Sequence, residues 1–211
     1  VFAILGTGAR DLDYNLFTLS VSLRKVRAAA TARPDSAPAR PPFFEADQVS
    51  LTLPWAIVAG RVGVESLTLA APVVTIERDA AGALNRPTRP ESTKPAGARR
   101  PVTIGAATVR DGRVRYADGA RGLVVDLEGL SASLTTTGSS VLSGTLAVAG
   151  PTRLEAAGHR TSVGPIAAML SYDGAAIAID RVSVTSPEAD IAGRARIDLA
   201  TTPVSLTADY A

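Results

Sequence analysis

The sequence predicts an all-β, mainly antiparallel protein, and three observations predict it. Apolar and polar residues alternate with period two along most of the 211 residues, as strands with one wet face require. Turn signals recur at roughly 8–12-residue intervals, the spacing of a sandwich, barrel or open sheet. No apolar stripe at helical spacing is sustained beyond two turns.

The elements follow in order. In "FTLSVSLR", Phe17, Leu19, Val21 and Leu23 share one face, and in "VSLTL" Val49, Leu51 and Leu53 do the same. "PWAIVAG" predicts a short helix near 54–59, with Pro54 at its first position and Gly60 just past its end. Leu67 and Leu69 precede Pro72, which cannot donate to a ladder and so starts the strand carrying Val74 and Ile76. Asp79 and Gly82 supply turn chemistry after it. Further faces hold Val109, Val114 and Tyr116, then Leu123, Val125 and Leu127, then Leu146 and Val148. "AAIAIDRVSV" places Ile177 and Ile179 on one face, then shifts phase to Val182 and Val184. Turns are expected at "RDG" (110–112), "ADG" (117–119), "TTGSS" (136–140) and "YDG" (172–174). The Pro-rich segments 31–42 and 86–101 are expected to be poorly ordered. The second divides the chain into sheet segments 1–85 and 102–211.

Composition narrows the chemistry. Hydrophobic residues make up 46% and aromatics only 4%, so the apolar surface is aliphatic. The net charge of +2 comes without a Lys/Arg stripe interleaved with stacking aromatics, so no nucleic-acid partner is expected. There is no cysteine and one histidine, His159, which removes disulfides and thiolate chemistry and leaves little for a metal. "GTGARD" lacks the third glycine and following helix of a dinucleotide site. "GHRTSVG" has no nucleophile-elbow pattern around Ser162. The i, i+2 pairs Asp126/Glu128, Glu188/Asp190, Arg113/Arg115 and Arg194/Arg196 read as solvated strand faces. No catalytic residue, cofactor or metal is expected. What remains is a series of aliphatic, Ser/Thr-backed strands. Alternation alone leaves open whether their faces seal into a sandwich or form an open curved sheet.

The block "FEADQVSLTLPWAIVAGRVGVESLTLAAPVVTIERDAAGALN", residues 44–85, resembles the N-terminal part of the TamB/AsmA-like family. The match lies at Leu67, Leu69, Pro72, Val74, Ile76, Arg78, Asp79, Gly82 and Asn85. "LDYNLFTLSVSLRKVR", "IGAATVRDGRVRYAD" and "SSVLSGTLAVAG" are similar to flanking family strands. The resemblance implies an elongated, strongly curved sheet forming an open hydrophobic groove lined by the alternating residues above. Pro72, Arg78, Asp79, Gly82 and Asn85 would set its shape and form no reactive site. It implies a non-enzymatic bridge segment carrying phospholipids across the periplasm toward the outer membrane. The inner-membrane anchor is expected upstream of Val1, since "VFAIL" is far shorter than the about 20 apolar residues of a span. An outer-membrane Omp85-type β-barrel is the partner implied for C-terminal regions beyond this chain. The alternative is a periplasmic chaperone assembling outer-membrane β-barrels or autotransporters.

Overall fold

The structure, a computed structural model, describes residues 7–8, 11–29, 41–57, 60, 63–85, 103–137, 141–185, 190–198 and 205–210. The described part of the chain is strand almost throughout, in one strongly curved, mostly antiparallel sheet. Its first strands are β1 (Thr7–Gly8), β2 (Asp11–Asn15), β3 (Ser20–Ala28) and β4 (Phe44–Thr52). Next come β5 (Gly63–Ala70), β6 (Val73–Arg78), β7 (Thr103–Asp118) and β8 (Leu123–Thr137). The series ends with β9 (Val141–Val148), β10 (Thr152–Ala156), β11 (His159–Val163), β12 (Ile166–Tyr172), β13 (Ala176–Thr185), β14 (Asp190–Asp198) and β15 (Ser205–Tyr210). The segment 86–101, and all of 31–42 except Pro41 and Pro42, lie outside the described residues.

Several neighbours in this count are one strand interrupted by a bulge. β5 and β6 lie along the same long partner β7, in parallel and at one constant register: Gly63 opposite Thr103, Ala70 opposite Arg110, Val73 opposite Arg113, Arg78 opposite Asp118. Between them Ala71–Pro72 faces Asp111–Gly112. The Ala71 N–H donates to the Arg110 carbonyl and the Arg113 N–H to the Pro72 carbonyl, at 2.8 and 2.7 Å. Ala71 and Asp111 both take positive φ, 45° and 52°. "RDG" is therefore a bulge inside β7 and not the turn the sequence suggests. The same residues that reverse a chain also serve the left-handed position of a bulge.

Similar interruptions lie at matched positions in neighbouring strands. Lys25 in β3 (φ 52°) faces Asp47 in β4 across a 2.6 Å ion pair, and Gly129 in β8 (φ 70°) accepts from the Ala149 N–H. A bulge bends its strand and adds twist. Aligned across successive strands, the bends add into a crease running across the sheet. Each interruption also shifts the phase by one residue, so the apolar set passes from Val21 and Leu23 to Val26, and from Leu67 and Leu69 to Val74 and Ile76. Without that shift, the pleat would turn half of each apolar set to water.

Two expectations need correction. Phe17 and Leu19 are not strand residues: they lie in the turn between β2 and β3. The Asn15 carboxamide oxygen accepts the N–H groups of Phe17 and Thr18 at 2.9 and 3.3 Å, and this Asx turn competes with strand geometry. The helix near 54–59 is a single 3-10 turn, Trp55–Ile57, with the Ile57 N–H donating to Pro54. Residues 58–59 fall outside the description.

The turn after β6 has a structural explanation. Beyond Val74, β6 loses its partner β4, which pairs with it only through Phe44 and Glu45. The chain turns at Asp79, whose carboxylate accepts the Ala83 N–H at 2.8 Å, and passes through Gly82 at φ 85°. Asn85 then occupies the vacant edge. Its amide donates to the Thr75 carbonyl (2.8 Å), its carbonyl oxygen accepts the Glu77 N–H (2.9 Å), and its own N–H reaches the Glu77 carbonyl (2.9 Å). Its side chain is 1% exposed. One side chain thus replaces a strand. Asn85→Ala should destabilise the protein by about 2–4 kcal/mol, since buried backbone groups left unpaired cost about 1–3 kcal/mol each. Urea unfolding measures this, and a change below about 0.5 kcal/mol would contradict the assignment.

Candidate functional site

The register assembles the alternating residues into cross-strand ladders. One runs Tyr14, Val21, Leu51, Leu67, Ala107, Leu134, Gly144, Leu170, Ile179, Ala195, Ala208. Next to it runs Leu12, Leu23, Val49, Leu69, Val109, Ala132, Leu146, Ala168, Val182. Apart from the Tyr14 hydroxyl at one end, neither contains a polar side chain. Between them, on the opposite face, lies Ser22, Ser50, Thr68, Thr108, Ser133, Thr145. Ser22 and Ser50 hydrogen-bond at 3.1 Å, and the Gln48 amide donates to both. The sheet therefore separates apolar and hydroxyl side chains over six strands, after which the hydroxyl row gives way to Met169 and Arg181.

Past the crease the division continues with charge on the polar side. Phe44, Val74, Val114 and Leu127 form one apolar ladder, and Ile76, Tyr116, Val125 and Leu154 another. On the opposite face Arg113 binds Asp126 through both carboxylate oxygens and reaches Glu128 at 3.2 Å. Glu128 also meets Arg153 at 3.4 Å, and Glu155 meets Arg160 at 2.8 Å. An open depression of about 520 Å³ lies among Arg115, Asp126, Arg153, Glu155 and Arg160. Its cations face carboxylates that counter them, which suits a solvated face. The pairs Arg113/Arg115 and Asp126/Glu128 meet in this network, while Arg194 pairs with Asp209 at 3.1 Å.

The apolar face has no second layer among the described residues. Hydrophobic side chains buried below a tenth of their surface are few and mostly small: Ala46, Val148, Ala168 and Ala176. Leu51, Leu69, Ile76 and Leu127, which a sealed sandwich would bury together, are all only partly buried. Along β8 exposure alternates, with Ala132, Leu134 and Thr136 half-buried and Ser131, Ser133 and Thr135 exposed. The apolar side chains shelter one another along the curve.

Most of the sequence-selected lining residues fall on this face. Val21, Leu51, Leu67 and Ile179 share the first ladder, and Leu23, Val49, Leu69, Val109 and Leu146 the second. Val74, Val114, Leu127, Ile76, Tyr116 and Val125 lie past the crease. Leu123 is level with Ala156 at the end of β8, Val148 faces Leu130 and Ile166, and Ile177 faces Tyr172. Leu53 lies just beyond β4, its N–H bonded to the Leu19 carbonyl. Phe44, Leu134, Leu154, Leu170 and Val182 join the same ladders. Phe44, Leu134 and Leu154 could have been found by extending the period-two count through the phase shifts. His159 and Ser162 both lie exposed on β11, opposite Ala156 and Arg153.

Asp118 is a charged group buried on the apolar side. It ends β7, opposite Arg78, and is 1% exposed. Its carboxylate accepts the N–H groups of Ala120 and Arg121 at 3.0 and 3.2 Å and the Tyr116 hydroxyl at 3.3 Å, with Arg78 at 3.4 Å. Burial pushes its pKa up, but the Arg121 and Ala120 N–H groups, Arg78 and Tyr116 together outweigh it and hold the carboxyl below its ordinary value. "ADG" thus closes a strand with a satisfied carboxylate, Arg78 at the end of β6 being its ion-pair partner. On the other face, the hydrogen bond from Arg113 lowers Asp126 against the opposing effect of burial. Carboxyls lowered by folding add stability that is present above their unfolded pKa, about 4, and lost as pH falls through the folded value. Thermal stability should therefore hold down to about pH 4 and drop below it. Melting temperatures from pH 6 to 2 check this, and Asp126→Asn should flatten the acid limb. An unchanged limb would contradict the role of the pair.

Among the described residues no group of His, Cys, Asp or Glu is arranged to hold a metal ion, and no helix is long and apolar enough to cross a membrane. Comparisons with protein-family models, curated proteins and solved structures return no match to this chain.

Proposed function

We propose that the apolar face carries the acyl chains of phospholipids and that the chain is a non-enzymatic segment of a lipid-conducting bridge. The observation that carries this reading is the pair of apolar ladders, aliphatic from β3 onward, on a curved sheet with no covering layer among the described residues. Each acyl CH₂ removed from water there is worth about 0.8 kcal/mol, so a two-chain lipid is held without a directed polar contact. Headgroups stay in water. Aliphatic side chains of similar depth offer no single pocket in which a lipid would be trapped, which suits sliding along the curve. The resemblance of residues 44–85 to the TamB/AsmA-like family supports the periplasm as the setting and the outer membrane as the destination, with an anchor in the inner membrane. An Omp85-type barrel as partner belongs to the same reading.

Native mass spectrometry of the purified protein tests the proposal. Adducts with the mass of two-chain phospholipids are expected, released on raising the collision energy. Protein that stays folded and monomeric yet carries none, even after incubation with phospholipid vesicles, would contradict it.

A second reading has its own observation. Among the described residues β15 pairs only with β14, and β2 only with β3. Each leaves a strand edge able to template another chain, as a chaperone for outer-membrane strands would need. Binding of an extended β-strand peptide that persists when the apolar face is made polar would favour it.

A further inference from the structure

Every strand of the half-sheet before the crease ends on one rim. There Ser20 lies opposite Thr52, Gly63 opposite Thr103, Thr137 opposite Val141 and Tyr172 opposite Ile177. The chain has only nine aromatic residues, and four of them, Tyr14, Phe17, Trp55 and Tyr172, are exposed at or beside this rim. Leu16 and Phe17 form the tip of the β2–β3 turn and are 70% and 90% exposed, and Trp55 just past β4 is 63% exposed. The two tips adjoin through the 3.0 Å hydrogen bond from Leu53 to Leu19. The Asn15 side chain fixes the first turn from within, so its apolar side chains are presented outward and not folded back. Neither 16–19 nor 53–57 contains a charged residue, and the acids Asp11 and Asp13 flank them on β2.

The geometry points to this rim as a membrane-inserting edge, with Leu16, Phe17 and Trp55 entering the interface of a zwitterionic bilayer. The protruding β2–β3 turn, tipped with Leu16 and Phe17, acts as a wedge. Trp55 and Tyr14 stand beside it, each with an apolar body and a polar atom suited to the headgroup level. Uncharged tips gain nothing from an anionic surface, and Asp11 and Asp13 are repelled by one. The inference stands on the exposed rim and does not depend on what the apolar face carries.

Trp55 is the sole tryptophan, so its emission reports on this rim alone. Phosphatidylcholine vesicles should shift it to the blue and reduce acrylamide quenching several-fold, and vesicles with brominated acyl chains should quench it. L16S combined with F17S should abolish all three responses while circular dichroism stays unchanged, because both side chains are exposed. The Val125→Asp, Leu127→Asp variant should keep them, which separates this rim from the acyl-carrying face. No response from folded protein would overturn the inference. So would a blue shift that grows with protein concentration without vesicles, which marks a second copy, or one confined to anionic vesicles and lost in salt.

Discussion

Replacing Val125 and Leu127 together with Asp is expected to leave the protein folded and to remove most of its bound lipid. Both residues lie on the apolar side of β8, Val125 between Tyr116 and Leu154 and Leu127 beside Val114, and both are half-buried. Their backbones pair with β7, and Val125 also with β10, whatever the side chain. Among the described residues no covering layer lies above them, so in lipid-free protein the new carboxylates reach water. Under acyl chains they do not, and an unpaired carboxylate taken out of water costs several kcal/mol. A loss of about 1.4 kcal/mol already raises Kd tenfold, which lowers occupancy tenfold at sub-saturating lipid. Lipid per protein should therefore fall more than tenfold, while the circular dichroism spectrum is retained. Cooperative unfolding of the variant would reveal a sealed core, and a full lipid load would remove this face from lipid binding.

The largest loss of stability is expected from Gly144→Ala. Gly144 lies in the first apolar ladder between Leu134 and Leu170. A Cβ there would fall on the Ser133 carbonyl oxygen and 2.9 Å from the Leu134 Cα. Both are backbone atoms in the middle of β8, so relief requires β8 and β9 to separate. A strained backbone site of this kind is worth more than about 3 kcal/mol, which lowers the melting temperature by roughly 6–12 °C in a protein of this size. Thr145→Ala, one residue on and exposed on the hydroxyl face, should stay within about 1 kcal/mol. Equal melting temperatures for the two variants would contradict the close approach.

Local signals read the faces well and the long-range pairing poorly. Period-two alternation placed Leu51, Leu69, Val109 and Leu127 because a one-sided sheet imposes that pattern on each strand separately. It gave no hint that β5 and β6 run parallel to β7 across the segment 86–101, since parallel register depends on residues far apart in the chain. A trace was available: "VESLTLAAPVVTI" and "IGAATVRDGRVRY" superpose at a fixed offset, with Ala71–Pro72 over Asp111–Gly112. The bulges were visible only as phase shifts, as between Ile179 and Val182. Phe17 continued the alternation formally, yet Asn15 diverted it into a turn. Asn85 and Asp118 look like ordinary turn residues; their burial follows from which strand edges the fold leaves unpaired.

The most direct measurement uses the alternation itself. A photo-reactive phenylalanine analogue is placed at Leu134 or at its neighbour Ser133, and the protein is irradiated with phospholipid bound. Leu134 belongs to the half-buried aliphatic ladder, and Ser133 points from the exposed hydroxyl face one residue away. Lipid should attach covalently at position 134 and not at 133. Equal labelling at both positions, or labelling at 133 alone, would contradict a lipid path along the apolar face.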